Sequence, residues 1–174
     1  MKTIDQYVDL CRGTTLDQFC EQHPHPFLLL SAESLVNFIR PYDAAKTPTV
    51  DRLVIGGLGE GNGADSPKEG YKVVEVTPSD PSSTRVSLGF ADSCDVRLDD
   101  PSISRLHAWL AWTSHGYYLE DNNSTAGTTL NGTILEPGHA VSVTPGDRIG
   151  LGTMDLVFMS AREFYPLVML LFGI

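Results

Sequence analysis

Short runs of β-branched and aromatic residues, each bounded by turn residues, follow one another from residue 71 onward. No helical period of ordinary length fits among them up to residue 159. Many short strands at such spacing are typical of an antiparallel all-β sandwich or barrel. The predicted strands are 71–77, 85–88, 95–98, 107–113, 117–120, 148–151 and 155–159.

The first 22 residues instead show apolar positions at helical spacing, which predicts two short helices separated by Gly13. Thr3 with Gln6, and Thr15 with Gln18, are candidate capping boxes at their starts. The two apolar stripes consist of Ile4, Tyr7, Val8 and Cys11, and of Leu16, Phe19 and Cys20.

Prolines end this helical pattern, and residues 27–30 then form a predicted buried strand. A third helix is predicted over residues 33–40 and a strand over 50–55. Residues 56–70 have the composition of a glycine-rich linker. These patterns predict a mainly helical N-terminal extension (1–48), a strand and linker (49–70) and a β-sandwich (71–160).

A short C-terminal helix is predicted over residues 161–174. Ser160 and Glu163 have the spacing of a capping box at its start. We expect this helix to dock on the sandwich or on the N-terminal helices, because its apolar residues recur at helical spacing. They are Phe164, Leu167, Val168, Leu171 and Phe172.

The chain has 174 residues with 12 basic and 22 acidic side chains, a net charge of −10. This charge repels the phosphates of nucleic acids and anionic membranes, so neither is an expected partner. Three widely spaced cysteines do not form a disulfide framework and indicate a reducing compartment. The N-terminus lacks the pattern of a signal peptide, so the cytoplasm is the predicted location.

No metal or cofactor is predicted. Cys11, Cys20, His23 and His25 lack the spacing of common zinc sites. The glycine-rich run at residues 56–63 lacks the lysine and hydroxyl residue of a phosphate-binding loop, and no helical pattern follows it.

Several short motifs in one order resemble the forkhead-associated (FHA) domain over residues 71–160. They are LGF at 88–90, CDVRL at 94–98, SISRLH at 102–107, GYYLED at 116–121, STAGT at 124–128, LNG at 130–132, PGDRI at 145–149 and LG at 151–152. Asn131 with Gly132 is in addition a hairpin turn signal by itself. The resemblance implies an antiparallel β-sandwich that recognises phosphothreonine on partner proteins through loops at one end.

A phosphate carries about two negative charges and needs a guanidinium, hydroxyl donors and backbone N–H groups on a rigid frame. Ser104, Arg105 and Thr125 are the predicted phosphopeptide-binding residues. The resemblance assigns His107 a structural role in joining the loops. We predict that Gly89, Gly127 and Asn131 support the site as well.

Two positions depart from the family pattern. Phe90 follows Gly89 where the family has an arginine, and Ala126 stands before Gly127 where it has an asparagine. Arg85 and Arg97 are the candidates to replace the missing charge. Arg105 either faces a ligand or pairs with a nearby aspartate.

Two functions stay open: a phosphothreonine-binding module, and a scaffold that keeps the fold and binds partners without phosphate. An enzyme is not predicted, because Ser104 and His107 are three residues apart and point to opposite faces of an extended segment. The oligomeric state is left open.

Overall fold

The computed structural model describes residues 2–30 and 71–174. The helix predicted over 33–40, the strand over 50–55 and the linker over 56–70 lie outside the described residues, and the predicted domain boundaries stay predictions. Twelve strands lie within the described ranges. They are β1 (Lys2–Thr3), β2 (Phe27–Leu30), β3 (Lys72–Glu75), β4 (Arg85–Gly89), β5 (Val96–Arg97), β6 (Ala108–Thr113), β7 (Gly116–Asp121), β8 (Thr128–Leu130), β9 (Thr133–Ile134), β10 (Val141–Val143), β11 (Arg148–Leu151) and β12 (Met154–Met159).

These strands form two sheets, which confirms the predicted β-sandwich. One sheet has the order β1-β3-β2-β12-β11-β8-β9 and the other β10-β7-β6-β4-β5. Neighbouring strands are antiparallel except β4 and β5, which pair in parallel. The N-terminal segment supplies β1 and β2 to the larger sheet, so it is built into the sandwich.

Each of the seven strands predicted from residue 71 onward is confirmed, with ends that differ from the prediction by at most two residues. The four that sequence did not predict are β1, β8, β9 and β10, each only two or three residues long. The hairpin predicted at Asn131-Gly132 is confirmed, since these two residues join β8 to β9 with φ values of 51° and 82°.

The inner core lies between the two sheets and is made of alternate residues of their strands. Leu28, Leu156 and Phe158 of the larger sheet meet Leu88 and Leu110 of the smaller one. All five are fully buried. Burial of this apolar surface is the main force that holds the two sheets together.

A second core covers the outer face of the larger sheet. Here β2 and β12 bury their other side chains, such as Phe27, Leu29 and Val157, beneath the helices. Strands buried on both faces need continuous apolar runs, and FLLL in β2 is such a run. The helices are a 3₁₀ turn (Ile4–Tyr7), α1 (Val8–Gly13), α2 (Leu16–Gln22) and α3 (Ala161–Phe172).

The C-terminal helix α3 docks on the N-terminal helices, as predicted. Tyr165 donates a hydrogen bond to the carbonyl oxygen of Thr14 at 2.8 Å. The ring of Phe164 stacks on that of Phe27 with centroids 4.2 Å apart. No helix in the described ranges is both long and apolar enough to span a membrane.

One of the three predicted capping boxes forms. Thr15 and Gln18 exchange both bonds at the start of α2. The prediction for Thr3 is wrong, because Thr3 ends β1 and its side chain makes no cap bond. The prediction for Ser160 is also wrong, because its hydroxyl donates to the Glu163 carboxylate instead of accepting from an N–H group.

Candidate functional site

Three loops meet at one end of the sandwich. They follow β4 (residues 90–95), precede β6 (98–107) and follow β7 (122–127). The first two are tied by backbone hydrogen bonds from Phe90 N to Ser104 O and from Ala91 N to Arg105 O, both 3.0 Å long. The second and third are tied by Thr125 N, which donates to the Ser104 hydroxyl oxygen at 3.0 Å. The structure therefore brings the predicted residues Ser104, Arg105 and Thr125 together.

His107 joins the same loops from below and is fully buried. Its Nδ1 lies 3.0 Å from Ser104 N, and its Nε2 lies 3.1 Å from the carbonyl oxygen of Gly127. A backbone N–H can only donate, so Nδ1 accepts and Nε2–H donates to the carbonyl. Both ring nitrogens are occupied, which leaves neither available as a base toward the Ser104 hydroxyl.

Gly89 allows the close approach of the first two loops. A Cβ at this position would lie 2.3 Å from the Arg105 carbonyl oxygen and 2.8 Å from the Cys94 sulfur. Gly127 adopts a φ of 82° where the third loop enters β8. A side chain there is strained, so glycine is favoured.

Asn131 lies farther from these loops, in the β8–β9 hairpin. Its side-chain amide donates to Asp147 at 2.8 Å, and its side-chain oxygen accepts from Arg148 N at 2.9 Å. It therefore fixes the hairpin to the turn before β11. Its support of a binding site stays a prediction.

Asp121 is a buried carboxylate that is not among the site residues predicted from the sequence. It accepts from the hydroxyls of Ser124 and Thr128, each at 2.6 Å, and from Ser124 N at 3.0 Å. Burial by itself raises its pKa, but these hydrogen bonds outweigh burial and hold the pKa below its usual value. The recognisable signal was an acidic residue at a strand end, followed by hydroxyl residues three and seven positions later.

Asp95 plays the same part under the first loop. It accepts from the N–H and hydroxyl of Ser87 and from Ser79 N. Partial burial raises its pKa, but the bonds from Ser87 and Ser79 prevail, so its pKa also lies below the usual value. Both carboxylates are thus ionised and accept hydrogen bonds that hold the loops in place.

The solvent-exposed surface of these loops carries hydrogen-bond donors that have no partner within the described residues. Within the described residues, the exposed Arg105 guanidinium forms no hydrogen bond or ion pair, and the Thr125 hydroxyl forms no hydrogen bond. The alternative that Arg105 pairs with an aspartate is therefore wrong. Ser104 receives a bond on its oxygen, so its own hydroxyl proton is free to donate.

Of the two arginines considered as replacements at position 90, Arg85 is excluded by distance. It begins β4 and Gly89 ends it, so about 13 Å of strand separates them. Its guanidinium lies 4.2 Å from the centroid of the Trp109 ring. Arg97 pairs directly with Gly89 across the parallel ladder and is the nearer of the two.

The described residues form no candidate metal centre. Among the side chains of residues 2–30 and 71–174, no group of three or more His, Cys, Asp or Glu could hold a metal ion. Cys11 is buried in the helical core as the stripe predicted, and Cys20 is half-buried. All three cysteines are free.

The chain thus forms a β-sandwich of two sheets, with polar residues close together on the loops at one end. Residues 86–152 match the sequence profile of the FHA domain. The predicted resemblance to the FHA domain is therefore confirmed over residues 86–152.

Two known proteins are similar in sequence to parts of this chain. Protein FraH of Nostoc sp. is 44% identical over 55 residues, which are 32% of this chain and 19% of FraH. The ABC transporter ATP-binding/permease protein Rv1747 of Mycobacterium tuberculosis is 34% identical over 119 residues, 68% of this chain and 13% of that protein. The chain spans less than a fifth of the length of either relative.

The N-terminal FHA domain of Rad53p from S. cerevisiae, solved in complex with a phosphothreonine peptide, is similar in structure. The TM-score is 0.46 and the identity 22%, over 55% of this chain and 90% of that domain. The similarity to the FHA domain rests on the sequence match of residues 86–152.

Proposed function

We propose that this protein is a non-catalytic interaction module that binds partner proteins phosphorylated on threonine. Ser104, Arg105 and Thr125 are the proposed contacts. The observation that carries the proposal is the exposed Arg105 guanidinium without an ion pair within the described residues of a chain of net charge −10. Carboxylates outnumber cations nearly two to one, so an arginine left free beside two available hydroxyls favours an anionic ligand.

The supporting geometry is a frame that is ordered before the ligand arrives. Ser104 and Thr125 come from different loops, and the hydrogen bond between them fixes their separation. His107 holds both loops from beneath. A site of fixed donors loses little conformational entropy on binding, which favours affinity for one small charged group.

The Rad53p domain was solved with a phosphothreonine peptide. We expect a phosphoprotein partner, and neither a nucleic acid nor an anionic membrane, because the net charge of −10 repels both of the latter. The three free cysteines favour a reducing compartment, and we place the protein in the cytoplasm.

The test is binding to a threonine peptide library prepared in phosphorylated and unphosphorylated forms. We expect some peptides to bind only when phosphorylated. Arg105→Gln should lower that affinity about tenfold or more, because a charge-assisted contact is lost. Thr125→Val removes a hydroxyl at nearly constant shape and should weaken binding less. Arg85→Gln is the matched control, because Arg85 lies against the Trp109 ring, and it should leave the affinity unchanged.

A phosphate-independent scaffold is the second candidate. It is favoured by Phe90, which is 38% exposed where the family pattern has an arginine, and by Ala126. If the library contains binders but none distinguishes the phosphorylated form, the scaffold function replaces the phosphothreonine-binding one.

A further inference from the structure

A hollow of about 420 Å³ opens between the loop after β4 and the segment before β6. Two arginines reach it from different elements. Arg97 ends β5, beside Gly89, and Arg105 follows Ser104. The hollow is lined by Phe90, Ala91, Asp92, Ser93, Arg97 and Arg105.

The guanidinium of Arg97 is held in place by the residue at position 90. It lies over the Phe90 ring, 5.6 Å from its centroid, and its Nε donates to the Phe90 carbonyl oxygen at 3.3 Å. Stacking on an aromatic face is a favourable position for a planar guanidinium. The phenylalanine that replaces the family's arginine thus supports a second arginine.

Arg97 keeps donors free while it is held. Its Nε also lies 3.1 Å from Asp92, and its Nη2 donates to Asp99 at 3.2 Å. Within the described residues its Nη1 makes no hydrogen bond or ion pair. A guanidinium has five N–H donors, so hydrogens remain for a further acceptor.

Its two carboxylate partners are weak competitors for an anion. The side chains of Asp92 and Asp99 are 89% and 78% exposed. Ion pairs so open to water contribute little, because the charges are screened and the side chains lose freedom. A phosphate carries up to two charges and three acceptor oxygens, so it competes well against a single carboxylate.

We propose that Arg97, supported by Phe90, is a second phosphate ligand, and that the phosphoryl group of a phosphothreonine is held between Arg97 and Arg105. The inference rests on the proposed phosphothreonine-binding function. It assigns the charge missing at position 90 to a residue seven positions later. It also makes Asp92 an internal competitor of the phosphate.

The affinity test uses a phosphothreonine peptide from the library above and calorimetric titration of the full chain. Arg97→Gln should weaken binding about tenfold, similarly to Arg105→Gln. Asp92→Asn should strengthen it about threefold by freeing Arg97. Asp9→Asn changes the net charge by the same amount as Asp92→Asn, but Asp9 lies on the distant helix α1, so this control should leave the affinity unchanged. Thermal unfolding of each variant checks that the fold is intact.

A direct reading comes from the arginine Nε–Hε signals in ¹H–¹⁵N spectra during titration with O-phospho-L-threonine. The signals of Arg97 and Arg105 should shift together with the same dissociation constant. The signal of Arg85 should not move. This measurement does not depend on the folding of any variant.

The outcomes separate the two proposals. If Arg105→Gln weakens phosphopeptide binding while Arg97→Gln and Asp92→Asn do not, and the Arg97 signal stays still, Arg97 is a surface ion pair and the inference is overturned. The proposed function then stands. If no peptide prefers the phosphorylated form, both fail.

Discussion

The loop end of the sandwich and the helix-covered face of its larger sheet are ordered by different forces. At the loop end, short polar segments are joined by individual hydrogen bonds among Ser104, His107, Asp121 and Thr125. On the helix-covered face, apolar side chains such as Phe27 and Phe164 are packed with no exposed surface. The first region depends on the identity of each residue, and the second depends mainly on total buried area.

The two regions should differ most in the free energy of unfolding that is lost when a phenylalanine is replaced by alanine. Phe164→Ala should lower the free energy of unfolding by about 3–5 kcal/mol, because it opens a cavity among stacked rings. Phe90→Ala, at an exposed position, should cost less than about 1 kcal/mol. Urea denaturation of both variants measures the contrast. Equal losses would mean that the Phe90 ring is part of a core.

At the loop end a single carboxylate should matter nearly as much. Asp121→Asn should cost about 1.5–3 kcal/mol, because the amide NH₂ group meets N–H and O–H donors that need an acceptor. Asp80→Asn is the control, since Asp80 also accepts from a serine N–H and hydroxyl but is fully exposed. Chemical denaturation should show a loss only for Asp121. A similar loss at Asp80 would contradict the role of burial.

This contrast also explains what the sequence could predict. Strands buried on one or both faces have apolar runs or alternation, so β2, β6 and β12 were predicted. The strands β8, β9 and β10 are two or three residues long and largely polar or exposed, so their pairing depends on neighbours distant in the chain.

The loop residues of the site were found because their spacing is specific, as with Ser104 and His107. The roles of Asp121 and Arg97 depend on three-dimensional contacts that spacing does not report. The capping predictions for Thr3 and Ser160 failed for a related reason, because both residues have other partners. Thr3 pairs with Lys72 in the sheet, and the Ser160 hydroxyl donates to the Glu163 carboxylate.

Acid should weaken the loop end before the helix-covered face. Asp95 and Asp121 have pKa values below their usual values in the folded state. Their contribution is therefore complete above the unfolded pKa of about 4 and is lost as pH falls below it.

The check is the midpoint of urea denaturation between pH 7 and pH 2.5, compared for the wild type and Asp121→Asn. The variant should lose less stability over this range, because one of the two carboxylates is absent. An identical slope in both proteins would show that Asp121 does not contribute to the acid sensitivity.

The smallest expected effect tests whether hydrogen bonds matter on the helix-covered face. The Tyr7 hydroxyl is buried and has no partner within the described residues, and burial raises the pKa of Tyr7 to about 12, with the Glu75 charge adding to the rise. Tyr7→Phe should leave stability unchanged or raise it slightly, since a buried group without a partner is removed. Tyr165→Phe should cost about 1 kcal/mol, because the Tyr165 hydroxyl donates to the carbonyl oxygen of Thr14 between α1 and α2. Differential scanning calorimetry distinguishes the two variants. A greater loss in Tyr7→Phe than in Tyr165→Phe would mean that this face also relies on specific polar contacts, and the contrast with the loop end would then disappear.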